Sequence, residues 1–208
     1  RCASSSTPAG AASCAPSWTT TDPMEPVQRV VVDVTFLEML HPPTEPAQEL
    51  PPGWRLVWER FPPVSLYRNL HWQVGRAHCW WMRLVKSDPE LAAILDEPKR
   101  HIFLLQEDGE TRGFCELDFK PHKTVNLAYF GLFPEVIGRG VGRAFLSQAL
   151  ALAWSADPLR VTVNTCTADH PRALTGYLRA GFRIVGVNRE EWDIPLRLGL
   201  SPPAHLCI

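Results

Sequence analysis

The sequence has almost no excess of charge of either sign, no long hydrophobic run and no closely spaced cysteines. Lysine and arginine number 21 and aspartate and glutamate 22, so the formal net charge is −1 and no global field favours nucleic acid or a membrane surface as a partner. No apolar run approaches the roughly 20 residues of a membrane-spanning helix. The 6 cysteines include no C-x-x-C pair, which excludes a disulfide scaffold or a zinc ribbon and suits a reducing, cytoplasmic compartment. Cys166 and His170 alone do not make a metal site, so no metal is expected.

The 208 residues are enough for one domain with a proper core. Residues 1–29 are rich in alanine, serine, threonine and proline, which predicts a disordered N-terminal segment. Because the first residue is Arg1 and not methionine, we interpret the chain as processed or as a fragment. Its N-terminal segment is then either residues added for expression or what is left of a transit peptide. A transit peptide would place the protein in an organelle. The domain itself is predicted over residues 30–208.

Residues 125–145 carry the strongest functional signal. An apolar run over residues 125–133 predicts a strand, a glycine-rich turn follows, and apolar residues then recur from Val141 with the spacing of a helix. The first turn of a helix has unpaired backbone N–H groups and the positive end of the helix dipole, and glycines let this backbone approach an anion closely. The pattern therefore predicts a phosphate cradle formed by Gly138, Arg139, Gly140, Val141, Gly142 and Arg143.

Two common phosphate-binding motifs do not fit this turn. The dinucleotide motif G-x-G-x-x-G requires a third glycine where the chain has Arg143, and a P-loop requires a lysine directly after Gly142, where the chain again has Arg143. A glycine turn that joins a strand to a helix without any ligand stays open as the alternative.

A third motif does fit, and a second stretch supports it. Residues 137–142 resemble the acetyl-CoA motif Q/R-x-x-G-x-G/A of the GNAT superfamily of N-acetyltransferases at both glycines, and depart from it at Ile137. Residues 170–182 resemble the family's C-terminal helix, in which an asparagine is followed at fixed spacing by alanine, tyrosine and Gly-Phe. His170 stands in the asparagine position, and the matching residues are Ala173, Tyr177, Gly181 and Phe182. The resemblance covers roughly residues 100–190.

The resemblance implies an α/β fold with a mixed, mostly antiparallel central sheet flanked by helices on both faces. Asp88 is predicted to cap the helix over residues 89–95, and Asp169 or Thr167 is predicted to cap the helix that begins at residue 171. The strand over residues 54–59 is interpreted as an addition to the family's core. Local patterns predict strands over residues 30–40, 54–59, 100–106, 111–120, 125–133, 160–167 and 182–188, and helices over residues 64–85 and 89–95 and from residues 141 and 171.

By the same resemblance, the strands over residues 125–133 and 160–167 separate at their C-terminal ends and hold the pantetheine arm of acetyl-CoA. The backbone of Leu132 and Phe133 would hydrogen-bond this arm, and His170 would lie on the phosphopantetheine side. The implied reaction is direct attack of a primary amine, on a small molecule or a peptide, on the thioester of acetyl-CoA, which serves as co-substrate. Tyr177 matches the tyrosine that protonates the departing CoA thiolate as general acid.

The general base is sought on the neighbouring strands. A register that pairs Lys120 with Val125 puts Glu116 opposite Tyr129. A carboxylate inside a sheet is rare unless it works or is paired, so Glu116 is the candidate base, with Tyr129 beside it. A strand whose polar face meets water is the alternative. The weaker candidates for the base are Asp118 and His170.

Other functional classes stay open. Because Ile137 and His170 depart from the family motifs, the chain could be an inactive GNAT-like module that binds acyl-CoA or another protein. A nucleotide-binding domain of unrelated chemistry is disfavoured by the missing P-loop lysine. Cys115 and Cys166 lie in predicted strands, where buried structural thiols are more common than nucleophiles.

The regions that would form the acceptor pocket match the family least. The 8 tryptophans hint at a hydrophobic or aromatic amine. The aromatic candidates for the pocket wall are Tyr67, Trp72, Trp80 and Trp81. Packing in the core is favoured for at least two of these four residues.

The oligomeric state is not encoded in a visible motif. An exposed late strand could pair across a homodimer.

Overall fold

The structure of the protein, a computed structural model, describes residues 25–208. The predicted disordered segment therefore lies outside the described residues as far as residue 24. Its last residues, 27–29, belong to the first strand, because that strand begins at Val27 rather than at residue 30.

Within the described residues the chain forms seven strands and four α-helices. The strands are β1 (Val27–Met39), β2 (Trp54–Glu59), β3 (Arg100–Glu107), β4 (Glu110–Lys120), β5 (Thr124–Leu132), β6 (Arg160–Cys166) and β7 (Arg183–Pro195). The helices are α1 (Val64–Gly75), α2 (Asp88–Leu95), α3 (Val141–Trp154) and α4 (Ala173–Arg179). Single turns of 3₁₀ helix occupy Pro134–Val136, Leu196–Leu198 and Ala204–Leu206.

The strands form one mixed sheet in the order β2-β3-β4-β5-β6-β1-β7. Every neighbouring pair is antiparallel except β5 and β6, which are parallel. These two pair only from Thr124 opposite Arg160 to Leu127 opposite Val163, although each strand continues beyond. The sheet therefore opens between the C-terminal halves of β5 and β6, and the predicted separation of these strands is observed.

The first described strand, β1, lies inside the sheet between β6 and the edge strand β7. The connection to β2, at the opposite edge, must therefore cross one whole face. Residues 41–52 make this crossing and hold to α3, where the backbone N–H of Gln48 donates to Ser147 Oγ at 3.0 Å and Gln148 Nε2 donates to the Gln48 carbonyl at 2.7 Å. We call residues 41–48 the strap.

Helices cover both faces of the sheet, as expected. Helices α3 and α4 pack on one face, here called the α3 face, through an apolar stripe that includes Phe145, Ala149 and Tyr177. Helices α1 and α2 pack on the other, the α1 face, through Tyr67 and Leu70. None of the described helices is long and apolar enough to cross a membrane. Strand β7 is an edge strand, and its pairing across a homodimer stays a prediction.

Helix α1 is shorter than its periodicity predicts, because it ends at Gly75 and not at residue 85. The chain folds back there, and a Cβ added at Gly75 would lie 2.3 Å from the Cβ of Trp80. The backbone N–H of Trp80 donates to the Gly75 carbonyl at 3.2 Å, which closes the turn. Residues 76–86, here called the α1 loop, therefore carry Trp80 and Trp81 across the α1 face instead of along a helix.

Both predicted helix caps differ from the structure. Ser87, not Asp88, caps α2, in a capping box completed by Glu90. Helix α4 has no side-chain cap among the residues that the structure describes. Asp169 turns back to β6 instead, where its Oδ2 accepts hydrogen bonds from Thr165 Oγ1 at 2.7 Å and from the Cys166 N–H at 2.9 Å.

The predicted register of β4 and β5 is right at one end and wrong at the other. Glu116 does lie opposite Tyr129. Lys120, however, lies opposite Thr124 and not Val125, because the register shifts by one residue next to Glu116. The predicted register therefore holds on one side of this bulge, from Glu116 to Gly113, and is wrong by one residue on the other side, from Leu117 to Lys120.

His71 is fully buried in α1, and neither of its ring nitrogens has a hydrogen-bond partner among residues 25–208. Burial first, and then the charge of Arg83, lowers the pKa of His71 well below its usual 6.5. The unfolded chain therefore binds a proton that the folded one does not, so stability should fall as pH drops below about 6.5. We expect the parent to lose about 2 kcal/mol more than His71→Leu between about pH 7 and pH 5, as measured by urea unfolding. The exposed His205→Gln is the control, and a parent-like slope in His71→Leu would contradict the expectation.

Candidate active site

A cleft of about 2080 Å³ has walls on both faces of the sheet and includes the opening between β5 and β6. On the α3 face its walls are the start of α3, helix α4 and the strap. On the α1 face they are the α1 loop and β7. Most sequence-predicted site residues line this cleft, namely Tyr129, Leu132, Gly138, Gly140, Gly142, Arg143, His170 and Tyr177. The predicted residues that do not line it are Glu116, Phe133, Arg139 and Val141.

The glycine turn forms an open cradle at the start of α3. Gly138 and Gly140 have φ of +88° and +86°, a left-handed conformation that side chains rarely adopt. A Cβ at either position would meet no described atom within 4 Å, so none of the described residues fills the space next to these two glycines. Gly140 precedes α3, and within the described part of the chain no side chain caps this helix start, so its first N–H groups can bind an anion. The cradle therefore fits the pyrophosphate of acetyl-CoA, the substrate that the sequence implies.

The two arginines of the cradle have different roles in the structure. The Arg139 guanidinium makes a two-pronged ion pair with Glu107 on β3 and lies 5.4 Å from the ring of Trp54. Arg139 therefore points away from the cleft. Arg143 lines the cleft and makes no ion pair with any described residue.

This difference predicts unequal effects on acetyl-CoA affinity. Arg143→Gln should raise the Kd of acetyl-CoA about tenfold, because a charged hydrogen bond to the phosphates is lost. Arg139→Gln is the matched control and should leave the Kd within about twofold, because that guanidinium already serves Glu107. Isothermal titration calorimetry measures both values, and equal weakening by the two variants would contradict the assignment.

The backbone groups that face the opening are not quite those predicted. The N–H of Phe133 donates to the carbonyl of Arg112 on β4 at 2.8 Å, so it is not available to a ligand. Backbone groups alternate in direction along a strand. Phe130 and Leu132 therefore direct theirs away from β4, into the opening that β6 leaves. The prediction for Leu132 agrees with this geometry, whereas the prediction for the Phe133 N–H does not.

Tyr177 lies beneath the opening on the α3 face. Its side chain is buried against Phe130 and Phe182, with ring centroids 6.5 and 5.8 Å away, and it still lines the cleft. Its hydroxyl forms no hydrogen bond with any described residue. Burial first, and then the charge of Asp169, raises the pKa of Tyr177 above its usual 10. The phenol therefore stays protonated at neutral pH.

His170 follows β6 and lines the same cleft. Its Nδ1 accepts the backbone N–H of Arg172 at 3.2 Å. Burial, followed by the charges of His78 and Arg172, lowers the pKa of His170 below its usual 6.5. The imidazole is therefore neutral at pH 7, as the asparagine of the family motif would be. Its predicted contact with phosphopantetheine stays a prediction.

Glu116 is buried in a network of hydrogen bonds and ion pairs. Its carboxylate accepts a hydrogen bond from the Tyr67 hydroxyl at 2.5 Å and pairs with the guanidinium groups of Arg83, at 3.2 Å, and Arg100. The side chain is fully buried and does not line the cleft. This geometry does not support Glu116 as the general base. Its carboxylate is already paired with two arginines, and it does not border the cleft through which an acceptor amine would enter. Its place inside the sheet is explained by pairing.

Tyr129 stands above this network on the α1 face and lines the cleft. Its ring packs against His71 and Trp80, with centroids 4.4 and 5.1 Å away, and the Arg83 guanidinium lies 5.4 Å from it. Burial raises the pKa of Tyr129 to about 12. Tyr129 is therefore a neutral wall of the cleft and not a base. Of the other three aromatic candidates, Trp80 and Trp81 line the cleft, whereas Tyr67 is core and Trp72 lies elsewhere.

Asp169 is the residue that the sequence interpretation missed as a functional group. It lines the cleft just beyond the end of β6 and makes no ion pair with a described cation. Its Oδ1 accepts the indole N–H of Trp80 at 3.1 Å. Because Trp80 packs on β5 beside Gly131 and Tyr129, this hydrogen bond spans the opening between β5 and β6. Its position directly before the matched His170 was the available signal.

The chain matches one family model, and solved structures share its fold. The model of the acetyltransferase (GNAT) family matches residues 54–182. A GCN5-related N-acetyltransferase from Sphaerobacter thermophilus is similar at a TM-score of 0.54 and 19% identity, over 81% of this chain and 54% of that one. A tandem GNAT protein from the clavulanic acid biosynthesis pathway is similar at 0.56 and 13%, over 80% and 55%. No curated protein matches the sequence.

A smaller enzyme is matched along almost its whole length. This is a spermidine/spermine N-acetyltransferase from Vibrio cholerae, at a TM-score of 0.51 and 16% identity, over 68% of this chain and 92% of that one. By contrast, this chain spans little more than half of the length of the Sphaerobacter thermophilus enzyme and of the tandem GNAT protein.

The mixed sheet that opens beside a glycine-rich helix start is the architecture of an acyltransferase. Because the family model covers more than half of the sequence, the chain belongs to the acetyltransferase (GNAT) family, whose general reaction is acetyl-CoA-dependent N-acetylation. The resemblance and the fold class are confirmed. One detail is corrected: the match begins at β2, so this strand is not an addition, and β1 is the strand that lies outside the matched region.

Proposed function

We propose that this chain transfers an acetyl group from acetyl-CoA to a primary amine that enters from the α1 face. The observation that carries the proposal is the opening between β5 and β6. It joins the anion cradle on one face to a chamber on the other, where Asp169 and Trp80 lie. A thioester in this opening would meet donors on one side and a carboxylate on the other.

Acetyl-CoA would bind on the α3 face. The N–H groups at the start of α3 and the Arg143 guanidinium would hold its pyrophosphate. The backbone of Phe130 and Leu132 would hydrogen-bond the pantetheine arm in the opening. The strap, which lines the cleft from His41 to Gln48, would cover the arm from outside.

The acceptor must lose a proton before it attacks, because a primary amine is an ammonium ion at neutral pH. We assign this proton to Asp169, directly or through one water, since its carboxylate borders the opening on the α1 face. The amine nitrogen then bonds to the thioester carbon, and the carbonyl oxygen becomes an oxyanion that a backbone N–H of β5 stabilises. As the C–S bond breaks, Tyr177 gives its proton to the sulfur and the nitrogen passes its second proton to solvent, so that amide and free thiol leave. Solvent then returns a proton to the Tyr177 phenolate and takes the first proton from Asp169.

An inactive acyl-CoA-binding or protein-interaction module is the second candidate, favoured by Ile137 and His170 in place of the family residues. Calorimetric binding of acetyl-CoA, followed by thiol release with a panel of primary amines, separates the two. Micromolar binding with thiol release by at least one amine supports the enzyme. Binding of acetyl-CoA without thiol release by any amine would favour the inactive module.

We also propose a cytoplasmic location. The four described cysteines are free thiols, which supports a reducing compartment.

A further inference from the structure

The α1-face part of the cleft has an uneven distribution of charge. Its lining residues Arg83, Lys86, Arg100, Asp118 and Lys120 each make an ion pair with a group of opposite charge. Their charges are therefore largely compensated inside the protein.

Two carboxylates on the same wall, Asp169 and Glu190, pair with no described lysine, arginine or histidine. A carboxylate beside apolar rings is costly without a positive partner. The chamber is thus short of positive charge, which a bound acceptor can supply.

Glu190 lies beside the indole ring of Trp192, on the wall of the cleft. It lies on β7 opposite Val32 of β1, and its Oε2 accepts the indole N–H of Trp192 at 2.8 Å. The Trp192 ring lies 6.5 Å, centroid to centroid, from that of Trp81, and both rings line the cleft. A carboxylate with aromatic rings nearby is a good environment for an ammonium group, because the carboxylate attracts its charge and the face of a neighbouring ring can attract it as well.

The sheet sets the distance between the two carboxylates. Strand β1 separates β6, which ends just before Asp169, from β7, which carries Glu190. Neighbouring strands lie about 4.8 Å apart, so the two backbone positions are about 10 Å apart across the sheet. An acceptor whose reactive amine lies at Asp169 would reach Glu190 with a group at the far end of an alkyl chain.

From these positions, and on the basis of the proposed function, we infer that the acceptor is a dication, an alkane diamine or a polyamine. Its reactive amine lies beside Asp169, and its second ammonium lies on Glu190, next to Trp192 and the neighbouring ring of Trp81. This differs from the aromatic amine at which the tryptophan content hints, because the rings serve here as walls around a cation.

The test compares alkane diamines of increasing length with the monoamine of the same length. The parent protein should prefer the diamine at least about tenfold in kcat/KM, with an optimum chain length. Glu190→Gln should raise the diamine KM about tenfold and leave the monoamine KM and the acetyl-CoA Kd unchanged. Trp81→Leu should also reduce the preference for the diamine.

Glu191→Gln is the matched control, because Glu191 is the next residue of β7 and lies on the opposite face of the sheet. It should behave as the parent. Equal use of monoamines and diamines by the parent, or an equal effect of Glu190→Gln on both, would overturn this inference and leave the acetyltransferase proposal standing. If none of the amines gives thiol release, the proposed function is overturned, and this inference with it.

Discussion

Replacing Tyr177 with phenylalanine should lower kcat for amine acetylation about a hundredfold and leave the Kd of acetyl-CoA within about twofold of the parent value. The phenol borders the cleft under the β5–β6 opening, has no hydrogen-bond partner among the described residues, and is kept protonated by burial. Removal of the hydroxyl leaves the packing against Phe130 and Phe182 intact. The departing thiolate then has no proton donor, so the chemical step slows while binding does not. Steady-state thiol release and calorimetry give the two values.

A change of leaving group separates general acid catalysis from a structural effect. A thioester whose thiol is a stronger acid than CoA needs less help from a donor, so the defect of Tyr177→Phe should shrink with it. Tyr129→Phe provides a contrast, because Tyr129 lines the acceptor side and should act mainly on the KM of the amine. Equal losses for both thioesters in Tyr177→Phe would remove the acid role.

The parts of the site that could be predicted from the sequence are those encoded in consecutive residues. The cradle depends on two glycines in a left-handed conformation followed by an apolar helical stripe, and all of this lies between Gly138 and Phe145. Tyr177 was identified in the same way, by its spacing from Ala173 and Gly181. Local chemistry of this kind is visible in one sequence, because the elements that it needs are its own neighbours.

The parts that could not be predicted depend on contacts between distant residues. The sequence suggests Asp169 as a helix cap, because its partner Trp80, which donates to it across the opening, lies 89 residues earlier in the chain. Glu116 looked like a base because its partners Arg83 and Arg100 come from a loop and a strand whose positions the sequence does not show. The place of β1 inside the sheet has the same cause, since periodicity predicts a strand but not its neighbours.

Replacing Asp169 with asparagine should lower kcat/KM for the amine about a hundredfold near pH 7 and leave the acetyl-CoA Kd unchanged. The asparagine carbonyl can still accept the hydrogen bonds from Thr165 and Cys166, so the end of β6 should keep its shape. What is lost is the group that takes the proton from the ammonium, together with the hydrogen bond from Trp80, because the asparagine NH2 group would face the indole N–H.

The dependence on pH distinguishes this role from a structural one. A primary alkyl amine loses its own proton near pH 10.4, as the lysine side chain does, and a free amine needs no base. The defect of Asp169→Asn should therefore shrink steadily as pH rises from about 7 to about 10, whereas a distorted site would stay slow at every pH. Trp80→Phe removes the indole donor and keeps the carboxylate, so it should keep the pH profile of the parent. A constant defect in Asp169→Asn would exclude Asp169 as the base and leave solvent to take the proton.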